Sequence, residues 1–288
     1  MQQIVDTATP LITFLLLVAV GLDLTVGDFR RVRERPGMVA AGVLVPPLLL
    51  PPLALLLIHL VGASPALAEV LLLLAVCPIG GLSNAYSLLA RASTALSVTL
   101  TAVSCGAALV TIPAATVLLD VVWQRPASHA APMTVLMRQL LVGLAPPVLL
   151  GMAIRGCWPE VATRHRALVQ GVAFALLAAL LALIIATGGG GPELRFDSAA
   201  QLVLAFLGSA SVIGWGIAWL LGGSPADRFT FAAEFATRNV AVALAIAFSL
   251  SNPRAFIWFG AVYLAFEIPL LTLASLAHHR RFAAATGA

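Results

Sequence analysis

Residues 74–101 read LAVCPIGGLSNAYSLLARASTALSVTLT, an apolar run interrupted by Pro78, Gly80 and Gly81 and then by Ser83 and Asn84. A helix does not pass through such a stretch unbroken. Proline removes a donor and glycine loosens the backbone, so carbonyls near Cys77 and amides near Asn84 lose their helical partners and, inside a bilayer, must find others. Residues 230–250, TFAAEFATRNVAVALAIAFSL, repeat the situation, with Glu234, Thr237, Arg238 and Asn239 inside another apolar run. Each break yields two half-helices facing a small polar cavity, and the rest of the chain is organised around the pair.

What surrounds the breaks is membrane-like. The 288 residues are 61% hydrophobic and 10% charged, with a mean hydropathy of +1.03, outside the range of soluble domains. The fold class is an all-α polytopic membrane protein. All sixteen basic residues are arginine, so there is no P-loop lysine, which argues against ATP-driven transport by this chain itself. Cys77, Cys105 and Cys157 have no paired spacing and imply neither a disulfide framework nor a zinc site. The start, MQQIVDTATPLITFLLL, lacks the basic lead of a signal peptide and reads as a retained span. The pI near 9.6 reflects cytoplasmic arginines; no basic patch with interleaved aromatics marks a nucleic-acid surface. The chain is expected to act as a monomer in lipid.

About twenty apolar residues cross the hydrocarbon, and nine such runs are present: 8–26, 38–60, 66–90, 95–119, 133–154, 167–187, 199–221, 228–251 and 255–277. The third and the eighth carry the breaks. Arginines 30, 31, 33, 35, 91, 155, 164, 166, 228, 280 and 281 all fall on one side of this arrangement, which the positive-inside rule makes cytoplasmic, with the N-terminus outside. In a bacterial cell this is the inner membrane. An odd span count makes the two breaks cross in opposite directions, the pattern of an inverted repeat. An offset of about 155 residues sets Ser83-Asn84 on Arg238-Asn239 and pairs spans one to four with six to nine, leaving span five without a mate.

A broken helix offers free amides and a positive dipole end at its new N-terminus, and carbonyls at the end of the preceding half. Anions suit the first and cations the second. Ser97, Thr101 and Ser104 fall on one face of span four, next in sequence to Ser83 and Asn84. These oxygens, with the carboxylate of Glu234, suit a hard monovalent cation. Each hydroxyl taken singly also reads as a bond back to its own helix, and Glu234 with Arg238 also reads as a structural ion pair at i, i+4. Glu267 in span nine is either a proton carrier or a hydrogen-bonded acid near Pro269. His59, His129, His278 and His279 fall at span ends or in loops.

The run CPIGGLSNAYSLLARASTALSVTLTAVS, with EFATRNVAVALAIA later, resembles the bile acid:sodium symporter family over essentially the whole chain. The resemblance implies ten spans, or nine where the first is absent. It also implies a core domain, here spans 38–60, 66–90, 95–119, 199–221, 228–251 and 255–277, and a panel of 8–26, 133–154 and 167–187. It places a sodium ion (Na+) on Ser83, Asn84, Ser97, Thr101 and Glu234. A second sodium in the family uses two glutamines, and here Pro47 and Arg238 stand at those positions. The expected activity is sodium-coupled symport of a small organic anion, bile-acid-like, a carboxylate or a sulfonate, by alternating access. The anion is expected at Gly80, Gly81, Leu82, Arg238 and Asn239. The alternatives are a sodium-independent or proton-coupled carrier with Arg238 as fixed cation, and, from another class, an anion-binding sensor or channel. No catalytic motif suggests an enzyme.

Overall fold

The computed structural model describes residues 2–23, 25, 27, 31–123, 142, 145–186, 194–247 and 253–286. Its helices are α1 (Gln2–Asp23), α2 (Pro36–Val61), α3 (Pro65–Val76), α4 (Leu82–Leu89), α5 (Thr94–Trp123), α6 (Ala145–Cys157), α7 (Pro159–Ala186), α8 (Phe196–Leu220), α9 (Pro225–Ala236), α10 (Val240–Ala247) and α11 (Pro253–Thr286), with a 3₁₀ turn at Arg31–Arg33. No strand occurs among the described residues. Among the described residues, four helical segments are long and apolar enough to cross a membrane: Pro36–Val61, Thr94–Ala114, Phe196–Leu220 and Arg254–Arg281. Leu11–Asp23, α3 and α6 are shorter apolar helices. The beginning of the expected span 133–154 lies outside the described residues, as does the end of 228–251.

Both expected breaks are present, between α3 and α4 and between α9 and α10, and local chemistry explains where each begins. α2 stops at Gly62, whose φ of 64° is left-handed, and α8 is followed by Gly222 at 70°. Then Ser64 accepts the amide of Leu67 ahead of Pro65, while Ser224 and Asp227 form a reciprocal capping box around Pro225. The two turns share the pattern Gly-x-Ser-Pro-Ala, at 62–66 and 222–226. Pro225 lies 160 positions after Pro65, a spacing that differs from the 155 at which Asn84 and Asn239 match. From α2, the helix lengths run 26, 12, 8 and 30 residues, and from α8 they run 25, 12, 8 and 34. Caps and turns set the register of the series, whereas the shared asparagine that suggested 155 sits at different places in the two breaks.

The two breaks meet. Pro78–Gly80 runs antiparallel to Thr237–Asn239, with Ile79 bridging Arg238. The amide of Gly80 donates to Thr237 O at 3.1 Å and that of Asn239 to Pro78 O at 2.9 Å. Ser104 of α5 accepts the amide of Ile79 at 3.2 Å. Backbone groups freed by proline and glycine thus find one another, as a low-dielectric surrounding demands. The approach is close: a Cβ on Gly80 would lie 2.8 Å from Arg238 O.

Around this crossover pack fully buried aromatic side chains, among them Phe206, Phe231, Phe235, Phe259 and Tyr263. Helices α1, α6 and α7 pack on one another, with α1 also against α10 and α7 against α11. The α1–α6 contact is glycine to glycine: a Cβ on Gly21 would lie 2.1 Å from Val148 O, and one on Gly151 2.3 Å from Val18 O. Small residues let two membrane helices approach this far.

Candidate functional site

Helices α4 and α5 form a hairpin that carries Ser83, Asn84, Ser97 and Thr101 to one place, and the last turn of α9 delivers Glu234 to it. Ser97 Oγ lies 2.8 Å from Asn84 Oδ1 and also contacts Glu234 Oε1. Thr101 Oγ1 is 3.3 Å from Asn84 Oδ1, 3.4 Å from Glu234 Oε2 and 3.4 Å from Ser83 Oγ. Ser83 donates its own hydroxyl proton to Gly80 O at 2.9 Å. All five expected sodium ligands therefore share one cluster, and Glu234 is fully buried.

Proton counting gives the cluster its chemistry. Each hydroxyl has one hydrogen. The protons of Ser97 and Thr101 are shared among Asn84 Oδ1 and both Glu234 oxygens, and that of Ser83 is spent on Gly80. Oxygen lone pairs outnumber the hydrogens available to them, and a hard cation with oxygen ligands offsets such a deficit. Thr99 and Ser104 are not part of it. Thr99 bonds back to Ala95 O at 2.8 Å, and Ser104 spends its proton on Thr101 O. Among the described residues no group of His, Cys, Asp and Glu forms a site for a harder-won metal.

On the other side of the crossover, Gly80, Gly81, Leu82, Arg238 and Asn239 line a single cavity of about 60 Å³, faced by Leu16, Ala19 and Val20 of α1. The amide of Gly80 is committed to Thr237, so the donors left at the start of α4 are the amides of Gly81 and Leu82. Asn239 Oδ1 caps α10 by accepting the amide of Val242 at 3.1 Å. That bond fixes which end of the amide is oxygen, and Nδ2 is left buried without a partner. The cavity is a cradle of donors with apolar walls.

Arg238 is 3% exposed and donates through Nη2 to Cys77 O, the carbonyl at the end of α3. Its Nε and Nη1 have no partner. Among the described residues it forms no ion pair with Glu234. It borders a second cavity, of about 10 Å³, with Gly42, Val43, Pro46, Pro47 and Ser104. Pro46 and Pro47 supply no amide to the carbonyls of Gly42 and Val43, so the guanidinium sits at a carbonyl-rich spot that also holds the other position where the family pattern is left, Pro47.

Glu267 is fully buried, with Oε1 accepting from Tyr86 at 3.4 Å and Oε2 unpartnered. His278 and His279 contact Ala90 O and Leu89 O at the end of α4, each at 3.1 Å. His59 closes α2, and His129 lies outside the described residues. Two features escaped the sequence reading. Asp227 joins Arg35 at 2.8 Å and Ser93 at 2.6 Å. Burial pushes its carboxyl up, but the Ser93 and Ser224 hydroxyls, the Ser224 amide and the Arg35 guanidinium outweigh it and hold it below the usual carboxylate range. Asp23 borders a larger vestibule of about 470 Å³ with Gly81, Leu82, Asn84, Arg91 and His279. The signal for Asp23 was available: it is a carboxylate inside the apolar run 8–26.

A model of the sodium bile acid symporter family matches residues 10–191. The chain is similar to sodium/bile acid cotransporter 4 of Homo sapiens, 31% identical over 260 residues, covering 88% of this chain and 57% of that protein. It is also similar to a probable chloroplastic sodium/metabolite cotransporter of Oryza sativa subsp. japonica, 36% identical over 104 residues, covering 36% of this chain and 25% of that one. The chain spans about half or less of the length of these relatives.

Proposed function

Since the chain belongs to the sodium bile acid symporter family, we propose that it is a secondary transporter carrying a small carboxylate- or sulfonate-bearing solute with sodium across the inner membrane, N-terminus outside and C-terminus in the cytoplasm. The observation that carries this reading is the proton-poor oxygen cluster joining α4, α5 and α9. Sodium binds at Ser83, Asn84, Ser97, Thr101 and Glu234, and the anionic group of the solute at the Gly81 and Leu82 amides and Asn239 Nδ2. Nine spans form an inverted repeat, in which a core of α2–α5 and α8–α11 moves against a panel of α1, α6 and α7. Sodium draws Glu234 and the α4–α5 hairpin together, and the crossover passes that order to the donors of the adjoining cavity.

Arg238 acts here as a fixed cation at the Cys77 carbonyl, which favours one sodium per cycle. A guanidinium stays charged and holds the place of a second ion. The direct test is Glu234→Gln. Sodium should no longer raise the thermal midpoint of the purified variant or drive uptake into proteoliposomes, and an unchanged sodium titration removes Glu234 from the site. The buried, half-satisfied Glu267 favours a second reading, in which a proton replaces sodium. That carrier would stop when the pH gradient is collapsed and run without sodium. Counterflow of labelled solute separates either carrier from a sensor or a channel.

A further inference from the structure

We infer that Asp227 is a positioning residue for sodium: through Ser93 it sets the register of α5 on α9, and with it the distance from Ser97 and Thr101 to Glu234. This rests on the reading above that the cluster joining α4, α5 and α9 holds sodium.

Asp227 does more than its place in α9 requires. A capping box needs one serine and one acid on the same turn, and Oδ2 meets that need by accepting from the Ser224 hydroxyl at 2.8 Å and the Ser224 amide at 3.0 Å. Arg35 adds its Nη1 to the same oxygen at 2.8 Å. Oδ1 serves another element: it accepts from Ser93 Oγ at 2.6 Å, across 134 positions of the chain. The amide of Ser93 donates to Thr230 Oγ1 at 3.1 Å, so the turn before α5 grips α9 at two points. Ser93 O in turn accepts the amide of Ser97 at 3.0 Å, which makes Ser93 the residue from which α5 starts.

Spacing carries this grip inward. Asp227, Thr230 and Glu234 are three and four residues apart on α9, and Ser93, Ser97 and Thr101 follow one another at intervals of four into α5, so each set shares a face. The contacts climb in order, Asp227 and Thr230 with Ser93, then Glu234 with Ser97 and Thr101. The two helices thus meet along one polar seam, with the Asp227–Ser93 clasp at its outer end and the oxygen cluster further in. Asp227 is 2% exposed, and Thr230 and Glu234 are fully buried. Hydrogen bonds are directional, whereas the burial of Phe231 and Phe235 on the same helix is not. The clasp is therefore what fixes α9 against sliding or turning on α5. A binding constellation has to be held to about 0.5 Å by residues outside it, and the clasp supplies that hold at the end of the seam remote from the crossover.

The experiment titrates sodium into the purified whole chain by calorimetry and, alongside, reads the thermal midpoint in potassium buffer without sodium. Ser93→Ala should weaken sodium binding about tenfold, the worth of about 1.4 kcal/mol. Ser93→Thr keeps the hydroxyl and should restore binding to the native level. Asp227→Asn should lose as much as Ser93→Ala, and the double variant no more than the worse of the two, because both changes remove one shared bond. Leu67→Ala opens a cavity at a fully buried position of α3, off the seam; it should lower the midpoint and leave sodium affinity alone. Should Asp227→Asn not fold, the two Ser93 variants decide. Native sodium affinity in Ser93→Ala overturns the proposal, as does an equal loss in Leu67→Ala, which would make the effect one of general loosening. Either result leaves the symport reading standing provided Glu234→Gln abolishes sodium binding. A native chain that gives no sodium response overturns both.

Discussion

Replacing Gly80 by alanine puts a methyl group where the two breaks touch. The new Cβ would stand 2.8 Å from Arg238 O and 3.1 Å from Thr237 Cγ2, so the two segments must separate by about 0.6 Å to reach an ordinary contact. That movement stretches both crossover bonds, at 3.1 and 2.9 Å, beyond useful length. Backbone groups left unpaired and buried cost about 1–3 kcal/mol each, and two weakened bonds make the expected loss about 2–6 kcal/mol. At about 2–4 °C per kcal/mol, the thermal midpoint in detergent should fall by about 5 °C or more. Sodium affinity should fall with it, because Ser83 is anchored to Gly80 O. Gly216→Ala is the control: it lies within α8 with nothing near its Cβ position, and alanine there should stabilise by up to about 1 kcal/mol. The two variants are compared by thermal unfolding across a sodium titration. If Gly80→Ala keeps both the native midpoint and the native sodium affinity, the crossover is not the joint on which the site depends.

Sodium should titrate the native protein as a single site, and Arg238→Gln should weaken solute binding without adding a second; only when paired with Pro47→Gln is a cooperative second sodium expected, and calorimetric titration of the three proteins decides this. Asp227, whose carboxyl is held low in the fold, contributes stability that is present above the ordinary carboxylate range and is lost as pH falls through its lower folded value. Acid unfolding should therefore move to higher pH and lose steepness in Asp227→Asn, measured by intrinsic fluorescence. Arg91 has a left-handed φ of 51°, which costs a side-chain-bearing residue about 1 kcal/mol, so Arg91→Gly should raise the thermal midpoint slightly or leave it level, and a marked fall would reveal a role for the guanidinium at the vestibule.

Much of this could be read from the sequence because polar and helix-breaking residues are conspicuous in apolar runs. Pro78, Gly80 and Gly81 announced the first break and Thr237 to Asn239 the second, and the hydroxyl stripe of Ser97 and Thr101 is ordinary helical spacing. What stayed hidden depends on direction. Nothing along the chain says that Arg238 turns towards Cys77 O and away from Glu234, or that Asn239 spends its oxygen on a helix cap and keeps its nitrogen for the cavity. The Gly-x-Ser-Pro-Ala turns, which fix where helices start, lie 160 positions apart, whereas the asparagines that suggest an offset of 155 sit at different places in the two breaks. Asp23 is not legible as a vestibule residue either, since a carboxylate in the last turn of a helix resembles an interfacial residue until its neighbours are known.

The crossover also has a consequence for how the protein is made. Gly80 N is paired with Thr237 O, and Ser97 and Thr101 with Glu234, partners separated by 133 residues or more. At a ribosomal rate of roughly 5–20 residues per second, the first half waits about seven to thirty seconds in the membrane with the polar groups of its broken span unmatched. During that interval the sodium site proposed above is incomplete, and an ion could not assist there. The nascent chain must shelter Ile79 to Asn84 in water, against lipid headgroups or within the insertion machinery. A chain arrested before Glu234 should be a ready target for membrane proteolysis, and one that passes Asn239 should become resistant in a single step.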